Sequence, residues 1–327
     1  MPLLYPIAVA AAPKMRSNRA AVSRRSIPLL ALAGLCLSLV PAAAASYIVA
    51  RNVKHPTIEV NRVGYALVQY RARGKRRHVF LWGAVNGVAN EALGGRQARF
   101  EYDTTGGWAA FGDAKRWKGF RDGCRPYDGP ELPFFVAGCR APDGSYWALQ
   151  EWRRLAPVRG LPPFRPAQRA RELHVSHWAG PLPRIEVWPN WTYGGRWQGF
   201  FGRLTYRSKP VYGSQSAGLG QYAYIDTFNS VYGRGWKHDT AIASHRPNGA
   251  FCYSFVPQSP PRGYPTRKRR GPGLGDRHRV SVVGPGVTPV VSWEGPRLGP
   301  YDPVGDAAIN AVFDRVMTGD KVCAKER

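Results

Sequence analysis

Three carboxylates, Glu151, Glu186 and Asp226, sit in aromatic-flanked segments. Glycoside hydrolysis needs two such groups roughly 5 to 9 Å apart, one as acid and one as nucleophile or base. No Glu-x-Asp-x-Glu pattern puts two of them on one strand face, and each is as well suited to pairing with one of the many arginines. His174 and His177 are of the type that ligates metal, but on a strand their odd spacing sends them to opposite faces. His238, Asp239, His245 and Cys252 have the types of a Cys/His nucleophile, and no Gly-x-Ser-x-Gly elbow occurs. No metal or cofactor is expected. The residues favour a non-enzymatic binding or structural protein, with a secreted carbohydrate-active hydrolase using a carboxylate pair as the alternative.

Two clusters could hold a ligand. In Trp188-Pro189-Asn190-Trp191-Thr192-Tyr193-Gly194-Gly195-Arg196-Trp197, the rings of Trp188, Trp191, Tyr193 and Trp197 have the makings of a sugar-stacking surface, with amides interleaved to bond hydroxyls. The same rings fit equally a strand end that fills a core. Arg267, Lys268, Arg269 and Arg270 form a tetrabasic centre inside a Pro- and Gly-dense stretch, and Arg71 to Arg77 form a basic turn. Either could grip polyphosphate or acidic lipid, or simply be solvated loop charge. Nucleic-acid recognition has no supporting motif.

Charge points the same way. The first 45 residues hold five of the 47 basic side chains and none of the 21 acidic ones, so the rest of the chain keeps 42 basic residues against 21. Such an excess draws a protein toward polyanions such as anionic wall polymers, with strong salt dependence. The preponderance of Arg over Lys, with plentiful Ala, Gly and Pro, is also what a GC-rich genome produces.

The compartment follows from the N-terminal segment and the cysteines. Ser23-Arg24-Arg25-Ser26, the apolar run Ile27 to Val40 and the small-residue tail Pro41 to Ser46 make a secretory leader at residues 1–45, with cleavage near Ser46 and an alternative start at Met15. Left uncleaved, the same run would anchor the chain in a membrane. Beyond it lie Cys124, Cys139, Cys252 and Cys323, an even set that predicts disulfides in an oxidising compartment. The pairs Cys124 with Cys139 and Cys252 with Cys323 are favoured among the three connectivities, and no paired Cys/His spacing suits zinc.

The elements that must position these residues are strands. Thr57 to Arg71, Arg77 to Val85, Arg99 to Asp103, Ser145 to Gln150, Leu173 to Trp178, Arg184 to Trp188, Gln198 to Tyr206, Gln221 to Thr227 and Ala250 to Val256 are short, β-branched or aromatic-rich, and bounded by turn residues. The cadence predicts a mainly β, antiparallel, two-sheet sandwich-like fold. One C-terminal helix is expected, capped by Asp302, with Ile309, Val312, Phe313, Val316 and Met317 on one stripe and Gly319 at its end. The Pro-rich break at Pro157 to Pro166 divides a β-rich region 46–160 from a second, 161–327, if the two are not one continuous domain. Pro257 to Arg279 reads as a loop or linker.

The phrases Tyr127-Asp128-Gly129-Pro130-Glu131-Leu132-Pro133-Phe134, Gly144 to Gln150 and Val283 to Pro289 resemble those of exported actinobacterial proteins of no known activity. The resemblance covers most of the chain beyond the leader and implies export, with no catalytic residue attached.

Overall fold

The computed structural model describes residues 46–89, 97–153, 170–193, 197–211, 222–231, 233–243, 249–255, 274–300, 302, 304 and 306–316. The leader, the Pro157 to Pro166 break, His245, the tetrabasic centre, Gly319 and Cys323 lie outside them.

The fold is mainly β, in four antiparallel sheets. The first half supplies β1 (Tyr47–Arg51), β2 (Lys54–Val60), β3 (Ala66–Ala72), β4 (Lys75–Trp82), β5 (Glu101–Asp103), the one-turn α1 (Trp108–Phe111), β6 (Arg125–Pro126), β7 (Phe135–Arg140), β8 (Tyr146–Trp152) and β9 (Glu172–Trp178). Strands β2-β3-β4-β5 form one sheet and β1-β9-β8-β7-β6 another. Alternation decides how they meet: Ile58, Val68 and Leu81 from the first pack on Trp147, Leu149 and Val175 from the second, all buried. Each large side chain so buried contributes about 1.5–3 kcal/mol.

One expected strand, Thr57 to Arg71, is two. Asn61 Oδ1 accepts the Val63 and Tyr65 backbone N–H groups, and Gly64 takes φ +84°, so the chain turns between β2 and β3. The basic turn after β3 is tighter than the sequence suggests, since Arg73 and Gly74 both have positive φ and Ala72 pairs with Lys75. At the sheet edge the expected Cys124–Cys139 disulfide is present, with Cα atoms 5.5 Å apart. Closing a loop of 15 residues is worth about 3 kcal/mol by chain entropy.

The second half repeats the plan. Strands β10 (Arg184–Tyr193), β11 (Trp197–Tyr206), β12 (Lys209–Pro210) and β15 (Ala250–Ser254) form the third sheet, and β13 (Tyr222–Ser230), β14 (Gly233–Ala243), β16 (Arg277–Val282) and β17 (Val291–Pro296) the fourth, in the order β14-β13-β16-β17. Phe200, Leu204 and Phe251 of the third pack on Ile225, Val280 and Val282 of the fourth. The third sheet is covered on its other face by α2 (Asp306–Val316), whose Ile309, Val312, Phe313 and Val316 lie on Trp188, Trp191, Phe201 and Cys252. The helix starts three residues later than a cap at Asp302 would place it, because Asp302 Oδ1 accepts Val304 N–H (3.0 Å) in a turn ahead of it. Cys252 is disulfide-bonded. The stretch expected to be loop as far as Arg279 instead ends in β16, where His278, Val280 and Val282 are buried and Arg277 is exposed. Among the described residues no helix is long and apolar enough to cross a membrane.

The segment between β16 and β17 joins the two sandwiches. Val287 enters the first core, and its carbonyl accepts His177 N–H at 2.9 Å. Gly87 lies so close that a Cβ there would come within 2.2 Å of the Pro285 carbonyl oxygen. The fully buried Gln150 side chain clamps the end of the segment: its Oε1 accepts Val290 N–H (3.0 Å), and its Nε2 donates to the carbonyls of Val290 (3.1 Å) and Pro133 (2.8 Å).

His278 is an exception to good packing. It is 1% exposed, lies between Phe200 and Phe255, and both ring nitrogens are without hydrogen-bond partners. Burial lowers its pKa from 6.5 to about 4. The unfolded chain therefore takes up the proton first, and the stability present above pH 6.5 is lost as pH falls toward 4. His278→Phe should stabilise the protein by about 1–3 kcal/mol at neutral pH, since it removes buried polar atoms that lack partners. The gain over the natural protein should widen on acidification, as urea unfolding at about pH 7 and about pH 4.5 would show. A pH dependence unchanged by the substitution contradicts this reading.

Candidate functional site

Where the end of β8 meets the open face of the β14-β13-β16 sheet, the two sandwiches leave a cleft of about 380 Å³. Alternation places its residues. On β13 and β16, Ile225, Val280 and Val282 go to the core, and Tyr224, Asp226, Arg279 and Ser281 line the cleft. Strand β14 adds Trp236, Lys237 and His238, and the facing wall is Phe134, Glu151, Trp152, Arg153, Arg171 and Val290. Val290 is the residue that Gln150 clamps.

Cations outnumber carboxylates in the cleft, and both carboxylates are engaged. Glu151 pairs with Arg171 at 3.3 Å, and Asp226 Oδ1 lies 2.8 Å from His238 Nδ1. Arg153 and Lys237 have no carboxylate partner among the described residues. Arg279 is held from three sides. Its Nε donates to Glu294 at 2.7 Å, and its guanidinium carbon stands 4.4 Å from the Trp236 ring centroid and 5.4 Å from that of Phe134. A guanidinium fixed in this way loses little entropy when its terminal NH₂ groups meet an anion. Phe134 occupies the left-handed region (φ 57°), an uncommon place for an aromatic residue and one that costs free energy. A second hollow, of about 670 Å³, shares Phe134 and Arg279 with the first and continues past Glu131, Ile185 and Glu294.

Three polar atoms of cleft residues are buried without hydrogen-bond partners, Trp152 Nε1, His238 Nε2 and Ser281 Oγ. A carboxylate only accepts, so the neutral imidazole of His238 carries its proton on Nδ1 and presents a lone pair at Nε2. The Tyr224 ring centroid lies 5.3 Å from that of His238 and backs it.

The structure brings together two of the three candidate carboxylates, Glu151 and Asp226, but not Glu186, which sits on the third sheet between Arg184 (3.1 Å) and Arg203 (3.0 Å). The aromatic cluster is divided. Trp191 is fully buried and stacks on Phe313 at 5.3 Å, and Trp188 stacks on Phe201 at 5.2 Å, so both serve the packing of α2. As a correction, Trp191 offers no ring face to a ligand from solvent. Trp197 is half-buried on β11, and the Tyr193 side chain is outside what the structure describes. Arg267, Lys268, Arg269 and Arg270 are likewise outside it. Cys252, bonded and buried under α2, is no nucleophile for His238.

His174 and His177 do part to opposite faces. His174 stacks on Trp152 (3.7 Å) and contacts Ser46 and Glu172; His177 stacks on Trp147 (3.9 Å) and bonds Ser145. Among the described residues no group of three metal-ligating side chains forms.

No family model, curated protein or solved structure matches the chain.

Nitrogen-detected NMR should show that the neutral form of His238 is the Nδ1–H tautomer. In Asp226→Asn the amide can donate to Nδ1, so the proton should move to Nε2. An Nε2–H tautomer in the unsubstituted protein would contradict the assigned geometry.

Proposed function

We propose that the chain is an exported, disulfide-bonded β protein that binds an anionic polymer of the cell envelope, an acidic glycan, in the cleft between its two sandwiches. The observation that carries this reading is the immobilised guanidinium of Arg279 among Lys237, Arg153 and Arg171, in a cleft whose two carboxylates are engaged and whose walls include Trp152 and Trp236. Fixed cations suit the acid groups of such a glycan. Extension past Arg279 into the second hollow suits a polymer better than a single small molecule. The net positive charge of the chain supports the same class of partner, and the disulfides and the leader support export.

The carboxylate-pair hydrolase is the weaker reading. Glu151 and Asp226 do share the cleft, yet each is already engaged, Glu151 by Arg171 and Asp226 by His238.

Binding to polygalacturonate should weaken steeply with added salt. Arg279→Ala should lower affinity about tenfold or more, the worth of a charge-assisted hydrogen bond, and Lys237→Ala somewhat less. Calorimetry over a salt series checks this. No binding of polygalacturonate or of a polyphosphate wall polymer at low salt would overturn the proposal.

A further inference from the structure

We propose that the cleft does more than bind: His238 and Asp226 form a proton-transfer centre that cleaves uronate-containing glycans by β-elimination. The inference rests on the acidic-glycan reading above and names the substrate class and the chemistry.

His238 is 8% exposed, and Asp226 holds its Nδ1 side at 2.8 Å. Its Nε2 is buried, accepts nothing, and belongs to a residue that lines the cleft. Leaving such an atom without a partner costs about 1–3 kcal/mol, which a ligand C–H or O–H brought to it would offset in part. The arrangement is that of an imidazole whose Nδ1 is held by a carboxylate and whose Nε2 has no partner, on a residue that lines the cleft, as a general base would be.

The surroundings narrow the reaction. No hydroxyl or thiol among the described residues is hydrogen-bonded to Nε2, so no nucleophile stands ready for activation. Glu151 is tied to Arg171. What one imidazole base beside fixed cations does well is remove a proton α to a carboxylate, because the cations stabilise the charge that spreads onto the carboxylate oxygens. Arg279 and Lys237 supply that charge.

In a uronate polymer the step balances without a co-reactant. His238 Nε2 takes the C5 proton, the electron pair left behind forms the C4–C5 double bond, and the bond from C4 to the glycosidic oxygen breaks. The imidazolium returns its proton to the departing oxygen. One chain becomes two, one of them ending in an unsaturated uronate, and no water is consumed. His238 is the catalytic residue, Arg279 holds the carboxylate, and Asp226 is a positioning residue that acts through His238.

The test uses the full exported chain with polygalacturonate, polymannuronate, polyguluronate and hyaluronan. Ultraviolet absorbance of the new double bond is followed while calorimetry on the same samples reports binding. Absorbance should rise with at least one polymer. His238→Gln should slow the rise about 10²–10⁴-fold with affinity little changed, the usual worth of a general base. Asp226→Asn should lower kcat with KM unchanged, which a merely structural role would not give, and circular dichroism confirms that both variants fold. Binding with no double bond from any polymer overturns the elimination and leaves the binding proposal standing, whereas loss of binding itself removes both. New reducing ends without absorbance, or full activity in His238→Gln, also overturn it.

Discussion

One buried amide fixes the geometry on which the cleft depends. Gln150 has no exposed surface, and its side chain replaces a strand partner for the segment that leads into β17, taking Val290 N–H and giving N–H to the Val290 and Pro133 carbonyls. Buried backbone groups must find partners, so this contact is specific in register as well as in orientation. A shift of one residue would leave three polar groups unsatisfied in the core. The next residues along the chain, Glu151 and Trp152, are thereby set opposite Asp226 and Arg279.

Among the described residues, buried polar atoms without partners occur away from the cleft as well, at Trp147, Ser176, Trp178 and His278 for example. His174, His177 and Ser145 are in mutual hydrogen bonds or stacks within the first sandwich and are explained by the fold. Burial drives the His177 pKa down to about 4, so it is neutral above that pH. His238 and Ser281 keep buried atoms without partners beside a pre-set guanidinium, in a cleft one wall of which is a strained Phe134. Natural proteins retain such local costs mainly where function requires them.

Much of the fold was legible because short alternating runs dictate which face is apolar, and β8, β9, β11 and β13 follow directly from theirs. The mainly β class, the helix stripe at Ile309, Val312, Phe313 and Val316 and the Cys124–Cys139 bridge were readable for the same local reasons. The site was less so. Glu151 and Asp226 were named from their aromatic flanks, but their proximity depends on Gln150, a contact spanning 140 residues that no local pattern announces. Strand β14, with Gly233, Arg234, Trp236 and Lys237, lacks β-branched residues over its first half and gave no strand signal. Strand β16 did carry one: Arg277-His278-Arg279-Val280-Ser281-Val282 alternates, and the dense Pro, Gly and Arg content just before it hid the alternation. The aromatic cluster left two readings open for a physical reason, since rings at Trp188 and Trp191 cover a helix as readily as a sugar.

The central claim, that ligand binds between the sandwiches, is tested most directly by hydrogen–deuterium exchange with and without saturating polygalacturonate oligosaccharides. The account predicts slowed exchange in β13, β14 and β16 and at residues 151–153, with the hairpin tip at Arg71 to Arg76 and the Trp188 to Trp197 stretch unchanged. Protection confined to either of those two places, with none in the cleft, would contradict it.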